Sequence, residues 1–312
     1  MFTRRDALRL SLAASAISIV PMTASWAASA ISIVPMTASW AASSKLNWQY
    51  FQAPETGFRR TPVLLTGKKE AILLDGGFTL SDGRAVADAI KSTGKHLSTI
   101  YVSCNDPDYY FSLRPIVEAF PEAKVIAKPA TVAAIHANVE GKLAIWGPQL
   151  KENGPQKLSD VVIPTASDLK ALELDGEKIE IIEVPDMHDR RYLWVPSLKA
   201  VFGGVLVSSG IHVWVADEAA PEKRQAWIKA LDQLAARKPK IVIPAHQTEG
   251  APQGLDAVKF TRDYLIAFHE EEQKAKDSTA LIAAMTKRYP NLADASSLEL
   301  GAKVVKGEMK WG

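Results

Sequence analysis

The chain is 312 residues long, 47% hydrophobic and 23% charged, which is enough apolar material for one substantial core and places it in the ordinary globular class. A formal net charge of +2 gives no electrostatic case for a nucleic-acid partner. With one cysteine, Cys104, no internal disulfide framework is available, so this thiol is free, a ligand or an intermolecular partner.

The amino terminus reads as an export signal. Thr3-Arg4-Arg5-Asp6-Ala7-Leu8 precedes an apolar Ala/Ser-rich run, a twin-arginine-type pattern with Ala7 where Phe is usual and Arg9 where Lys is usual. Pro21 interrupts the run, against a permanent membrane span. Ala13–Trp26 then recurs letter for letter as Ala27–Trp40, a local duplication too short for a solenoid repeat. Small residues at Ala41-Ala42-Ser43 offer a cleavage region. The expected organisation is a signal peptide over 1–42 and a periplasmic domain over 43–312, free of the membrane once cleaved.

Within the domain, a strand is expected over Leu46–Phe51, and Val63–Leu65 and Ala71–Leu74 form a hairpin around Thr66-Gly67-Lys68-Lys69 that ends in Asp75-Gly76-Gly77. A helix follows from Ser81 to about Ser92. Thr99–Val102 is β-branched and aromatic and reads as a buried strand. Cys104, Asp106 and Asp108 then alternate at its carboxyl end, where an α/β sheet gathers its ligands. The same residues also suit a plain strand-to-helix turn with Asp108 as a cap.

Leu113–Phe120 reads as a helix, Val125–Ala127 as a strand and Pro129–Val139 as a helix whose His136 is a surface or packing residue. From Asn138 to Leu172 the periodicity is broken by Gly141, Gly147, Pro148, Gly154, Pro155 and Pro164, which predicts a long loop with Trp146 offered to an apolar substrate. Strands are expected at Leu172–Leu174, Ile179–Val184, Tyr192–Val195 and Ala200–Phe202. His188 falls in a loop between two of them, with Arg190 and Arg191 free to meet a substrate carboxylate or Asp186.

His212 and Trp214 alternate onto one side and are candidates to face a pocket or to pack under the next helix, which begins at Pro221. Ile241–Pro244 reads as a buried strand delivering His246 to the edge that holds Asp108. Gly254–Lys276 and Thr279–Tyr289 read as amphipathic helices, and the basic tail carries no signal.

This order resembles the metallo-β-lactamase superfamily, in which a strand ending in Asp-Gly-Gly precedes Thr-His-x-His-x-Asp-His, a later His, a Gly-Asp and a last His after Val-Ile-Pro-Gly. The resemblance spans Val63 to Gly250 and implies an α/β fold, a four-layer αββα sandwich, with the long connection lying over the active site as a lid. Laid on the motif, Cys104 and Asp106 stand for the first two histidines, Asp108 matches the aspartate and Tyr109 replaces the third histidine. His188 and His246 match the later two, and Gly204-Val205 replaces Gly-Asp. Valine ligates nothing, which argues against a dinuclear centre.

Two readings follow. One is a hydrolase of an ester, lactone, amide or related bond, with a mononuclear site drawn from Cys104, Asp106, Asp108, His188 and His246. Asp108 is its catalytic group, and Tyr109, Trp146, His212 and Trp214 contact substrate. Its ion is zinc, with manganese or iron as alternatives where carboxylates dominate. The other is a metal-free, non-catalytic member that binds a small molecule or partner.

Overall fold

The computed structural model describes residues 32–34, 46–187 and 189–311. The export signal, the cleavage region and His188 lie outside these residues, apart from one strand in the second copy of the repeat, β1 (Ser32–Val34).

Two sheets lie between two layers of helices. The first has the order β1-β2-β3-β4-β5-β6-β7, with β2 (Asn47–Gln52), β3 (Val63–Thr66), β4 (Glu70–Leu74), β5 (His96–Val102), β6 (Lys124–Ala127) and β7 (Thr165–Ala166). It is antiparallel from β1 to β4 and parallel from β4 to β7. The second is built from β8 (Ala171–Leu174), β9 (Glu177–Glu183), β10 (Arg191–Val195), β11 (Ala200–Phe202) and β13 (Ile241–Val242), with β11 and β13 parallel. A short parallel pair, β12 (Ser208–Ser209) with β14 (His246–Gln247), carries one of the predicted ligands.

Period-two alternation sorts side chains into the layers. Val63, Leu65, Ile72, Leu74 and Tyr101 face the space between the sheets, where Leu193, Val195 and Phe202 meet them. Their neighbours Leu64, Leu73, Ile100 and Val102 point the other way, onto α1 (Leu80–Ser92), α2 (Leu113–Ala119) and α3 (Pro129–Leu150). On the far side Tyr192 and Val201 pack against α4 (Pro221–Ala236), α5 (Leu255–Lys274), α6 (Ser278–Arg288) and α7 (Ala295–Val305). This is the expected αββα sandwich.

Two expectations need correction. The helix predicted to end at Val139 continues to Leu150, because Ile135, Val139, Leu143, Gly147 and Leu150 keep a buried stripe at helical spacing through the Gly and Pro residues that seemed to break it. Trp146 therefore sits on α3 rather than on a lid loop. The tail dismissed as uninformative forms α7 and delivers Trp311 to the site.

Candidate functional site

Four strand ends build the site. After β4 the chain turns through Asp75 at φ 64, a left-handed conformation that aspartate tolerates better than most residues. Its fully buried carboxylate accepts from the Ser103 backbone N–H at 2.6 Å and the Ser103 hydroxyl at 2.7 Å, just past β5. The same hydroxyl accepts from the Gly204 N–H at 2.8 Å, after β11, so one serine ties the two sheets together at their carboxyl edge. His246 arrives beyond β13.

Into this edge the loop before β3 inserts Arg60, only 1% exposed. Its guanidinium lies 3.3 Å from Asp75 and 3.6 Å from Asp108, donates to the Ala245 carbonyl at 2.7 Å and stacks 3.6 Å over the Tyr109 ring. Tyr109 is itself fixed by a bond from its hydroxyl to the Gly204 carbonyl, 3.1 Å. Burial opposes the charge on Arg60, but Tyr109, Asp75 and Asp108 outweigh it and leave its pKa above the ordinary value.

His246 lies beside this pair, Nε2 3.3 Å from Asp108 Oδ2 and Nδ1 2.7 Å from the Phe58 carbonyl. A carbonyl only accepts, so Nδ1 carries the proton, and Nε2 turns a lone pair toward the carboxylate. Burial, helped by Arg60, lowers the His246 pKa to about 4, whereas burial raises that of Asp108 against the pull of Arg60. Both shifts work against the charged forms, so burial disfavours an imidazolium–carboxylate pair here.

A second guanidinium fills the adjoining cluster. Arg190 lies 3.3 Å from Cys104 Sγ, 3.7 Å from Asp106, 3.8 Å from Asp217 and 3.2 Å from Glu218. The thiol lies 3.1 Å from Asp106 Oδ2 and donates to it, its pKa pushed well up by burial and then by Asp106. Asp217 is held by the indoles of Trp214, 2.9 Å, and Trp311, 2.8 Å.

The structure thus brings Asp108 and His246 together, and Cys104 and Asp106 together. Tyr109 is fully buried under Arg60. Trp214 holds Asp217 at the mouth, while His212 is buried with its ring 3.0 Å from the Tyr264 hydroxyl, beneath α5. Trp146 packs with Phe58 and Phe78 in an aromatic cluster, centroids 5.3 and 5.5 Å away, behind the carbonyl that holds His246. Asp108 lies in a 3-10 turn, Pro107–Tyr109, and α2 begins later, after Ser112. Arg190 and Arg191 do not meet Asp186. Arg191 pairs with Asp189 at 3.2 Å and donates to the Ser103 carbonyl at 3.0 Å. Arg60, Asp217, Glu218 and Trp311 were missed, since nothing in the order of residues marks an arginine between a loop and a strand as buried.

Zinc needs three or more donors converging at about 2.0–2.3 Å. Among the described residues no group of three or more His, Cys, Asp or Glu is placed to hold an ion. Each half-set instead closes on a guanidinium, Arg60 for Asp75 and Asp108, Arg190 for Cys104 and Asp106. These residues do not fit a resident metal.

Comparison with known proteins places this edge in context. A family model described as the metallo-beta-lactamase superfamily matches residues 56–246, more than half of the chain. Among solved structures, a metallo-beta-lactamase from Pontibacter korlensis is 19% identical at a TM-score of 0.51, covering 76% of this chain and 99% of its own. A structure of VMB-1 at pH 5.5 is 15% identical at a TM-score of 0.49, covering 76% of this chain and 97% of its own. No curated protein sequence matches. The family-model match over residues 56–246 establishes that the chain belongs to the metallo-β-lactamase superfamily.

Proposed function

We propose that this protein is a metal-independent member of its superfamily, exported to the periplasm, that binds a small molecule at the rim of this site. The observation that carries the reading is Arg60, which sets a fixed positive charge within 3.3 Å of Asp75 and 3.6 Å of Asp108. A guanidinium there supplies the charge balance an ion would supply, and an ion entering would have to displace that buried, five-donor group and leave it without its carboxylates. The rim offers polar groups to a ligand, since the side chains of Asp106, Asp217 and His246 are 20%, 25% and 16% exposed. Export rests on the Arg4-Arg5 signal, and no helix among the described residues is long and apolar enough to cross a membrane.

The hydrolase-like fold keeps a second reading in play, that of a mononuclear hydrolase using zinc, manganese or iron on an ester, lactone or amide. It draws on the Asp108–His246 contact at 3.3 Å. Elemental analysis of protein purified without chelator separates the two. Substoichiometric metal, an unchanged Tm on adding zinc or manganese, and stabilisation of the metal-free protein by a member of a lactone, thioester, phosphoester and β-lactam panel support the binding reading. About one tightly held ion per chain, lost in both Asp108→Ala and His246→Ala, would overturn it.

A further inference from the structure

The end of the chain crosses the mouth of the site. Past α7, Lys306 Nζ donates to the Glu272 and Ala275 carbonyls at the end of α5, each at 2.5 Å. Glu308 then accepts from the Ser278 N–H at 2.8 Å and its hydroxyl at 2.5 Å, at the start of α6. Pinned twice, the segment sends the Trp311 indole N–H to Asp217 Oδ1 at 2.8 Å and its ring edge against Trp214, centroids 5.3 Å apart. From the opposite helical layer Lys142 on α3 places its ammonium 5.1 Å over the same ring. Trp311 therefore joins the two halves of the sandwich across the site.

What lies behind it is closed. Asp217, held by both indoles, is 3.8 Å from Arg190, which reaches Cys104 and Asp106. The space bounded by Arg190, Val205, Leu206, Trp214, Asp217 and Trp227 is about 10 Å³, at the limit of one water. A ligand cannot reach Arg190 through this opening unless a wall moves. Asp217 is one of its walls, and the Trp311 indole that holds Asp217 lies past Gly307, in a stretch that belongs to no helix or strand.

We propose that residues 306–311 form a strap that closes the mouth of the site, with the Trp311 indole as its latch. A ligand reaches the buried Arg190 guanidinium through this space only after the latch releases Asp217. This rests on reading the mouth as the binding site, but the test below uses no ligand, so its failure and a failure to find any bound small molecule are separate results.

The single cysteine of the chain, Cys104, lies behind the latch and is 1% exposed, which makes it a reporter of opening. The full-length protein is treated with an excess of an aromatic disulfide reagent, and the rate of thiol labelling is followed at low urea concentrations. Trp311→Ala is expected to raise the rate about tenfold, the scale of losing one charge-assisted hydrogen bond from a local opening equilibrium, with little dependence on urea. Glu308→Gln, which loosens the strap away from the site, is expected to raise it in the same urea-insensitive way, and decides the matter if Trp311→Ala does not fold. An unchanged rate, or an increase that rises with urea in step with global unfolding, would overturn the proposal.

Discussion

Arg60 is the buried counter-charge of the Asp75 carboxylate. It is 1% exposed and the nearest cation to Asp75, which is fully buried. Arg60→Met keeps much of the volume and removes the charge, leaving Asp75 with two Ser103 donors and no counter-charge. Breaking a buried pair from one side costs about 3–5 kcal/mol, so urea denaturation should show a loss of that order, partly recovered when Asp75→Asn is added. A loss under about 1 kcal/mol would mean that the pair is not buried in solution as described. His246 gives a second measurement. Its pKa falls from 6.5 in the unfolded chain to about 4 here, so between those values the unfolded state binds more protons and folding weakens as pH drops. The expected contribution is up to about 3 kcal/mol lost on acidification through this window, and absent in His246→Gln. Asp75 and Asp108, with pKa values raised mainly by burial, act in the opposite sense. Their contribution is full below the unfolded value of 3.8 and is lost as pH rises through the folded value, so they do not mimic the histidine. Equal pH slopes in the wild type and His246→Gln would remove the neutral-imidazole assignment.

At the scale of elements, the turn after β11 fixes how closely the sheets approach. Gly204 has φ +73, and a Cβ there would lie 1.9 Å from the Arg191 carbonyl oxygen. Its N–H donates to Ser103 and its carbonyl accepts from Tyr109. Gly204→Ala combines left-handed strain with a backbone clash and should cost at least about 2–3 kcal/mol, read as a lower Tm, with faster labelling of Cys104 as the Ser103 bridge loosens. The strands and hairpins were legible because alternation in stretches such as Val63–Leu65 and Glu70–Leu74 follows directly from which face is buried. Helix α3 was not, since Gly141, Gly147 and Pro148 are local breakers, whereas the buried stripe from Ile135 to Leu150 is a property of the packed layer. The site divides along the same line. Cys104, Asp106 and Asp108 could be placed at a strand end from spacing, and His246 from its apolar strand. Their arginine partners come from 44 residues upstream of Cys104 for Arg60 and from the far sheet for Arg190, and pairing over such separations leaves no mark in local sequence.

For the whole molecule, the open question is which part of the chain the sandwich needs. β1 adds three residues at the edge of the first sheet, pairing Ser32 with Gln52 and Val34 with Tyr50, and it lies within the segment expected to be removed at Ala41-Ala42-Ser43. β2 is anchored independently. It pairs with β3 from Asn47↔Thr66 to Tyr50↔Val63, and buries Trp48 and Tyr50 between the sheets and Phe51 under the helices. A three-residue edge strand is too short to be stable by itself and gives little back to a sheet whose next strand is already packed on both faces. A chain starting at Ser43 should therefore melt within about 2–3 °C of the full-length protein. Amino-terminal sequencing of the periplasmic fraction from an expressing cell should find the mature protein beginning close to that residue. A fall in Tm of about 10 °C or more for the shortened chain would make the duplicated segment part of the folded domain and set aside its reading as a removable signal.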